Sequence, residues 1–174
     1  MTMLEKGNQT DAQLRQIVVN EYQKEIDFEW NARMALGRSW KDLTNEDQQK
    51  YLFEYKRFLC FSWLPKLNYN RKNGVKVEIK DNALSIPNTM DHNITINITA
   101  PDSKIYEVIL RVREYADGSF KILNVIAEGV DLALSYRVQF ESFIESKGSA
   151  LSLIEDLKNK NLILEKKVDF KVKF

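Results

Sequence analysis

His92 is the single histidine, set in Met90-Asp91-His92-Asn93, and it is the first place to look for chemistry. No second histidine and no cysteine pair stands by to complete a zinc site, which needs three or four such ligands. A serine–histidine–acid triad would need a nucleophile elbow of the GxSxG kind, and none occurs. Nor is there a GxxxxGK[ST] or GxGxxG loop to cradle phosphates. Cys60 lies in Phe58-Leu59-Cys60-Phe61, where a thiol reads as a small buried apolar group. Carboxylates are numerous, but they occupy polar positions of helices and strands. Glu128 is the exception, flanked by Ala127 and Gly129 inside an apolar run. An acid at such a junction serves as a cap or a backbone partner more readily than as a general acid. A small hydrolase or isomerase using Glu128 or His92 as base stays open as a competing reading.

Large apolar residues are abundant instead: three Trp, nine Phe and seven Tyr in 174 residues. Charge is balanced, 26 basic against 25 acidic, which disfavours a nucleic-acid binder because such proteins carry a basic excess on one face. No run approaches the ~20 apolar residues that span a bilayer. One cysteine cannot form an internal disulfide, so cysteine usage leaves the compartment undecided. The amino terminus lacks a basic segment followed by an apolar core, so it does not read as a signal peptide. The expectation is a cytosolic protein or a mature form without its leader.

The elements that carry these residues change period midway. Leu14, Ile17, Val18, Tyr22 and Ile26 recur at helical spacing. Asp27 reads as the N-cap of a second helix with Phe28, Ala32, Ala35, Leu36 and Trp40 on one face. Thr44 is placed to cap the amide of Asp47 at the start of a third, carrying Tyr51, Leu52, Tyr55, Phe58, Leu59 and Trp63 and expected to stop at Pro65. Alternation then sets in: Val75, Val77, Ile79; Ile94, Ile96, Ile98; Tyr106, Val108, Leu110, Val112. These read as half-buried strands, joined by Ala100–Lys104 and Ala116–Ser119 turns into an antiparallel meander. A fourth strand is expected over 120–127, a helix to about Lys147, then Gly148 and a last helix over 151–160. The tail from Ile163 alternates apolar residues with Lys and fits a strand or a disordered end. One α+β domain over 1–174 follows, a twisted four-stranded antiparallel sheet covered by helices.

The segment 125–143 poses a further question. Leu132, Tyr136, Phe140 and Phe143 form one stripe, and Val130, Leu134 and Val138 another on nearly the opposite side. A helix apolar on two sides is expected to be buried on two sides. A fully packed core and a cavity above the sheet both satisfy that pattern.

The run Val125-Ile-Ala-Glu-Gly-Val-Asp-Leu132, followed by Ser135-Tyr-Arg-Val-Gln-Phe140, resembles the signature of the MlaC family, also called toluene-tolerance proteins. Lys147-Gly-Ser-Ala-Leu-Ser-Leu-Ile-Glu-Asp-Leu-Lys158 is similar to the family's end pattern, and Ala35-Leu-Gly-Arg-Ser-Trp40 with Leu43-Thr44 to its upstream hallmark. Gly74-Val75 before the first strand also fits. The likeness covers about 14–160 and leaves 161–174 unassigned. Asn124 departs from it, since the family often has Asp there.

The resemblance implies a non-enzymatic phospholipid carrier in the periplasm of a diderm bacterium, serving outer-membrane lipid asymmetry. Acyl chains would lie in an apolar cavity between sheet and helices, with the headgroup exposed and no cofactor beyond the bound lipid. The implied partners are an inner-membrane lipid-transport ABC complex and an outer-membrane lipoprotein–porin complex, with no nucleic acid. Some thirty acyl methylenes at about 0.8 kcal/mol each are worth on the order of 24 kcal/mol against water. A bilayer offers nearly the same, so a shuttle needs smooth apolar walls and few anchors. Candidate walls are Ile96, Ile98, Tyr106, Val108, Leu110 and Val112 on strands, with Trp40, Leu59, Trp63, Val130, Leu134 and Val138 on helices. Tryptophan at Leu134 or Val112 is expected to plug the cavity. The competing reading is a packed α+β interaction module without ligand.

Overall fold

The computed structural model describes the backbone of residues 11–72 and 75–168. Helix α1 spans Asp11–Glu25 and α2 Phe28–Leu36. Between them Asp27 acts as the expected N-cap, its carboxylate accepting from the Trp30 amide at 2.9 Å. The second helix is shorter than its apolar face suggested. It ends at Gly37, whose φ is +62°, and Trp40 falls in a 3-10 segment, Gly37–Asp42. A Cβ at Gly37 would meet Arg137 Nε at 2.9 Å, so the glycine also lets the next layer come close.

Helix α3 runs Asn45–Lys72, opened by Thr44 Oγ1 accepting from the Asp47 amide at 3.2 Å. It does not stop at Pro65. A proline removes one backbone donor, but its fixed φ is itself helical, so the chain continues. Helix α4 spans Leu132–Lys147 and ends on Gly148 in the left-handed conformation, its amide donating to Ile144 O at 2.6 Å. Helix α5, Ala150–Val168, extends beyond the expected 151–160 and takes in the first part of the tail. Polar contacts hold that extension. Asn161, fully buried, donates to Glu54 O at 2.8 Å and to Glu54 Oε2 at 2.7 Å. One turn on, Arg57 pairs with Glu165 at 3.1 Å and with Glu54 at 2.9 Å. The remainder of the tail, 169–174, lies outside the described residues. Around Tyr51, Tyr55, Leu36, Leu153 and Leu157 the helices share one buried core.

Five antiparallel strands follow in the order β1-β2-β3-β4-β5: Lys76–Ser85, Asp91–Thr99, Ile105–Glu114, Phe120–Ala127 and the two-residue Val130–Asp131. The α+β meander is the expected one with a short fifth strand added. Glu128 and Gly129 have φ of 51° and 78°, two successive positive values that mark a tight hairpin turn of the I′ kind. The pair therefore turns the chain back along β4 before releasing it into α4.

Register places the apolar residues together. Ile79 opposes Ile96, Ile96 opposes Val108, Val108 opposes Ala127 and Ala127 opposes Val130, an apolar row across all five strands. Beside it run Ile98–Tyr106 and Ile94–Leu110–Val125. The charges of β3, Glu107, Arg111 and Arg113, alternate onto the other face. Strand β1 departs from its half-buried reading: Val77, Ile79 and Leu84 are 57%, 73% and 62% exposed. It is the sheet edge, with a register irregularity between Ile79 and Ala83, so alternation there describes a strand wet on both faces.

Helices and sheet meet along β4. Ile26 bridges to Ile122, the Asp27 amide donates to Ile122 O at 2.9 Å, and Asn31 Nδ2 donates to Leu123 O at 2.7 Å. The Tyr115 hydroxyl donates to Asp27, tying the start of α2 to the end of β3. Burial, then the adjacent Asp27, pushes that phenol up to about 12.

Candidate functional site

At this junction lies a cavity of about 140 Å³ lined by Tyr22 and Ile26 of α1 and its exit, Asn31 of α2, Leu59 of α3, Ile122, Leu123, Asn124 and Val125 of β4, and Leu132 and Tyr136 of α4. It is overwhelmingly apolar, and its two amides are committed elsewhere. Asn31 Oδ1 accepts from the Tyr55 hydroxyl at 2.5 Å while its nitrogen serves Leu123 O. Asn124 Oδ1 accepts from Val125 N at 2.8 Å and Ala133 N at 3.2 Å, and its Nδ2 donates to Asp131 Oδ1 at 2.8 Å. Asp131 itself caps α4 through the Leu134 amide at 2.9 Å. The two amides thus build the walls and offer a guest little to bond. Burial drives the Tyr22 hydroxyl well above the ordinary phenol range and the Cys60 thiol up to about 12, so both stay neutral at physiological pH.

The residues first considered for chemistry lie elsewhere. His92 pairs with Ser85 across the β1–β2 ladder, Nδ1 to Oγ 3.2 Å, and among the described residues no carboxylate bonds its ring. The neighbouring Asp91 is held by Arg113 at 2.6 and 3.1 Å. Glu128 Oε1 accepts from the Glu107 amide at 3.0 Å while its own amide donates to Glu107 O at 3.2 Å. It is a backbone tie for the hairpin. Among the described residues no three His, Cys, Asp or Glu gather as a metal group.

Of the candidate walls, Leu59 lines the cavity directly. Ile96, Ile98, Tyr106, Val108, Leu110 and Val112 share one sheet face. None of the six lines the cavity, but Leu110 stands opposite Val125 and Val112 opposite Ile122, which do. Trp40 belongs to the helical core, edge-on to Tyr51 at 6.3 Å with Arg33 over its ring at 5.0 Å. Trp63 lies on α3, and its side chain is outside the described residues. Val130, Leu134 and Val138 are 53%, 55% and 60% exposed, which overturns the expectation that both apolar sides of α4 are buried. Only the Leu132–Tyr136–Phe140 side packs inward, against Tyr55 and Phe58. Tryptophan at Leu134 would therefore reach solvent. Sequence reading missed Tyr22, Ile26, Asn31, Ile122, Leu123, Asn124, Val125, Leu132 and Tyr136. The signal available was Asn124, an amide set between Leu123 and Val125 in an apolar strand.

The family model described as MlaC protein matches residues 1–159. Among curated proteins none matches the chain. A similar solved structure is the phospholipid-binding protein from Ralstonia solanacearum in complex with a phospholipid. It is 22% identical, covers 88% of each chain and has a TM-score of 0.73. At that identity the likeness concerns the fold.

Proposed function

Because the chain belongs to the MlaC family, we propose that it is a phospholipid carrier that performs no chemistry on its cargo. The observation that carries this reading is the apolar cavity beside a largely apolar sheet face, with both of its amides already bonded within the protein. About 140 Å³ equals roughly five water volumes at ~30 Å³ each. That holds a few methylenes, so most of an acyl chain lies along Ile96, Ile98, Tyr106, Val108, Leu110 and Val112, with the chain end against Leu59, Val125 and Tyr136. Leu134 and Val138, on the far side of α4, stay outside this path. The headgroup remains in water, since the cavity offers a phosphate no charged partner.

The similar Ralstonia protein, solved with a phospholipid, supports the ligand class. No described helix is long and apolar enough to cross a membrane. We place the carrier in the periplasm as one domain. There it would move lipid between an outer-membrane lipoprotein–porin complex and an inner-membrane ABC complex and so maintain outer-membrane asymmetry. Without a nucleotide loop of its own, its direction would be set by those partners. Mass spectrometry of an organic extract of the purified protein tests the reading: phospholipid in near-stoichiometric amount is expected, and its absence after exposure to phospholipid vesicles would overturn it.

A further inference from the structure

The outer edge of β1 is the one long strand edge that the sheet leaves open: the order ends there, and among the described residues β1 pairs with β2 alone. An open edge carrying exposed apolar side chains is a template for another strand. Val77 and Ile79 are 57% and 73% exposed on the apolar face. On the other face stand Lys76, Glu78 and Lys80, with Lys76 paired to Glu78 at 2.5 Å and Lys80 to Glu107 at 2.9 Å. Lysines on an edge normally discourage pairing. Here the glutamate between them changes the outcome for one partner, a second copy of the same strand.

The irregularity after Ile79 confines flat pairing on β1 to Lys76-Val77-Glu78-Ile79, with Val75 just before it. Laid antiparallel on itself about Val77, this stretch sets Val75 against Ile79, Lys76 against Glu78, and Val77 against its own copy. All apolar pairs fall on one face and both charged pairs on the other are attractive. Shifting the centre by one residue to Glu78 would instead oppose Glu78 to itself and Lys76 to Lys80. A centre on Ile79 would run into the irregularity. A centre on Lys76 would oppose Lys76 to itself. Among centres on β1 before the irregularity, charge and geometry therefore favour Val77, and the arrangement is isologous, as a two-fold dimer requires. We propose that two copies of this chain associate through β1, centred on Val77, into a continuous ten-stranded sheet. The two-fold axis stands perpendicular to the sheet, so the apolar faces of both copies lie on the same side. This assignment is independent of the cargo.

Sedimentation across the micromolar range tests it. The protein should pass from monomer to dimer with rising concentration. Glu78→Lys, at an exposed position, should weaken the dimer about tenfold or more by turning two cross-strand pairs repulsive. The charge swap Lys76→Glu with Glu78→Lys should restore wild-type association, with circular dichroism showing an unchanged fold. Val77→Cys should cross-link copy to copy on oxidation, Cys60 being buried. A wild type that stays monomeric throughout overturns the proposal. So does a Glu78→Lys variant that dimerises as tightly as wild type, or a charge swap that restores nothing.

Discussion

Replacing Val125 by tryptophan tests the cavity as a lipid site through energy rather than occupancy alone. Val125 sits on β4 between Leu110 and the open volume, so a larger side chain projects into the space a chain end would fill. An enclosed unfilled apolar cavity costs roughly 24 cal/mol per Å³, so about 140 Å³ left empty in this partly open one weakens the fold by at most about 3.4 kcal/mol. In a chain of 174 residues each kcal/mol moves Tm by ~2–4 °C. Phospholipid-loaded protein should thus melt several degrees above protein stripped with organic solvent or detergent, the cavity contributing up to about 7–14 °C. In Val125→Trp the indole occupies the volume permanently, so the gap should fall below half its wild-type size, and lipid recovered from the extract should drop with it. Calorimetry of both forms, with lipid phosphorus measured on the same samples, reads both quantities. Leu134→Trp, exposed on the opposite side of α4, should leave the gap unchanged. If loaded and stripped wild type melt together, or Val125→Trp keeps the full gap, the cavity is not where the chain ends.

Asn31→Ala removes the acceptor of the fully buried Tyr55 hydroxyl and the donor to Leu123 O. Two orphaned groups should cost about 2 kcal/mol or more and lower Tm by at least ~4 °C. Tyr55→Phe in the same background should recover part of that loss, and calorimetry checks both. Asn124→Asp would set a carboxylate where Nδ2 now lies 2.8 Å from Asp131 Oδ1, so the pair must share a proton and its upper pKa rises. Binding that proton more tightly when folded makes stability greatest below the ordinary carboxylate range and lost as pH rises through the raised value. Urea midpoints of the variant, each taken relative to wild type at the same pH, should be higher at acidic than at neutral pH. Cys60, 2% exposed with its thiol pushed up to about 12, should resist iodoacetamide at pH 8 and react within minutes in denaturant.

Local chemistry carried much of the fold into the sequence. Asp27, Thr44 and Gly148 sit at the helix boundaries their side chains or backbone freedom implied, because a cap is decided within four residues. Strand alternation likewise placed Tyr106, Val108, Leu110 and Val112 on one face, as the register confirms. What failed was any inference about the element opposite. Val77 and Ile79 alternate as cleanly as Ile96 and Ile98, yet β1 is an edge and β2 is not. Val130, Leu134 and Val138 repeat as regularly as Leu132 and Tyr136, and only one set found a partner. Periodicity names a face of an element; it is silent on what that face meets. The length of α5 was hidden for a related reason, since the bonds of Asn161 to Glu54 and of Arg57 to Glu165 join residues over a hundred positions apart.

The same distinction explains why the cavity sits where it does. A strand whose neighbour β5 spans only two residues has most of its edge without a strand partner, and β4 closes that edge by bonding Asp27 and Asn31 of the helical layer. Backbone groups there must be satisfied, so the corner between α1 and α2 is drawn against Ile122 and Leu123. Bulky Tyr22 and Tyr136, approaching from either side, cannot close the remaining gap. Asn124 then fixes the start of α4 against β4 at the other end of the gap. The apolar volume is consequently a by-product of polar fastening: the amides fix the frame, and the space between is left to whatever can fill it without hydrogen bonds. A guest of that description is a hydrocarbon chain, the cargo proposed above.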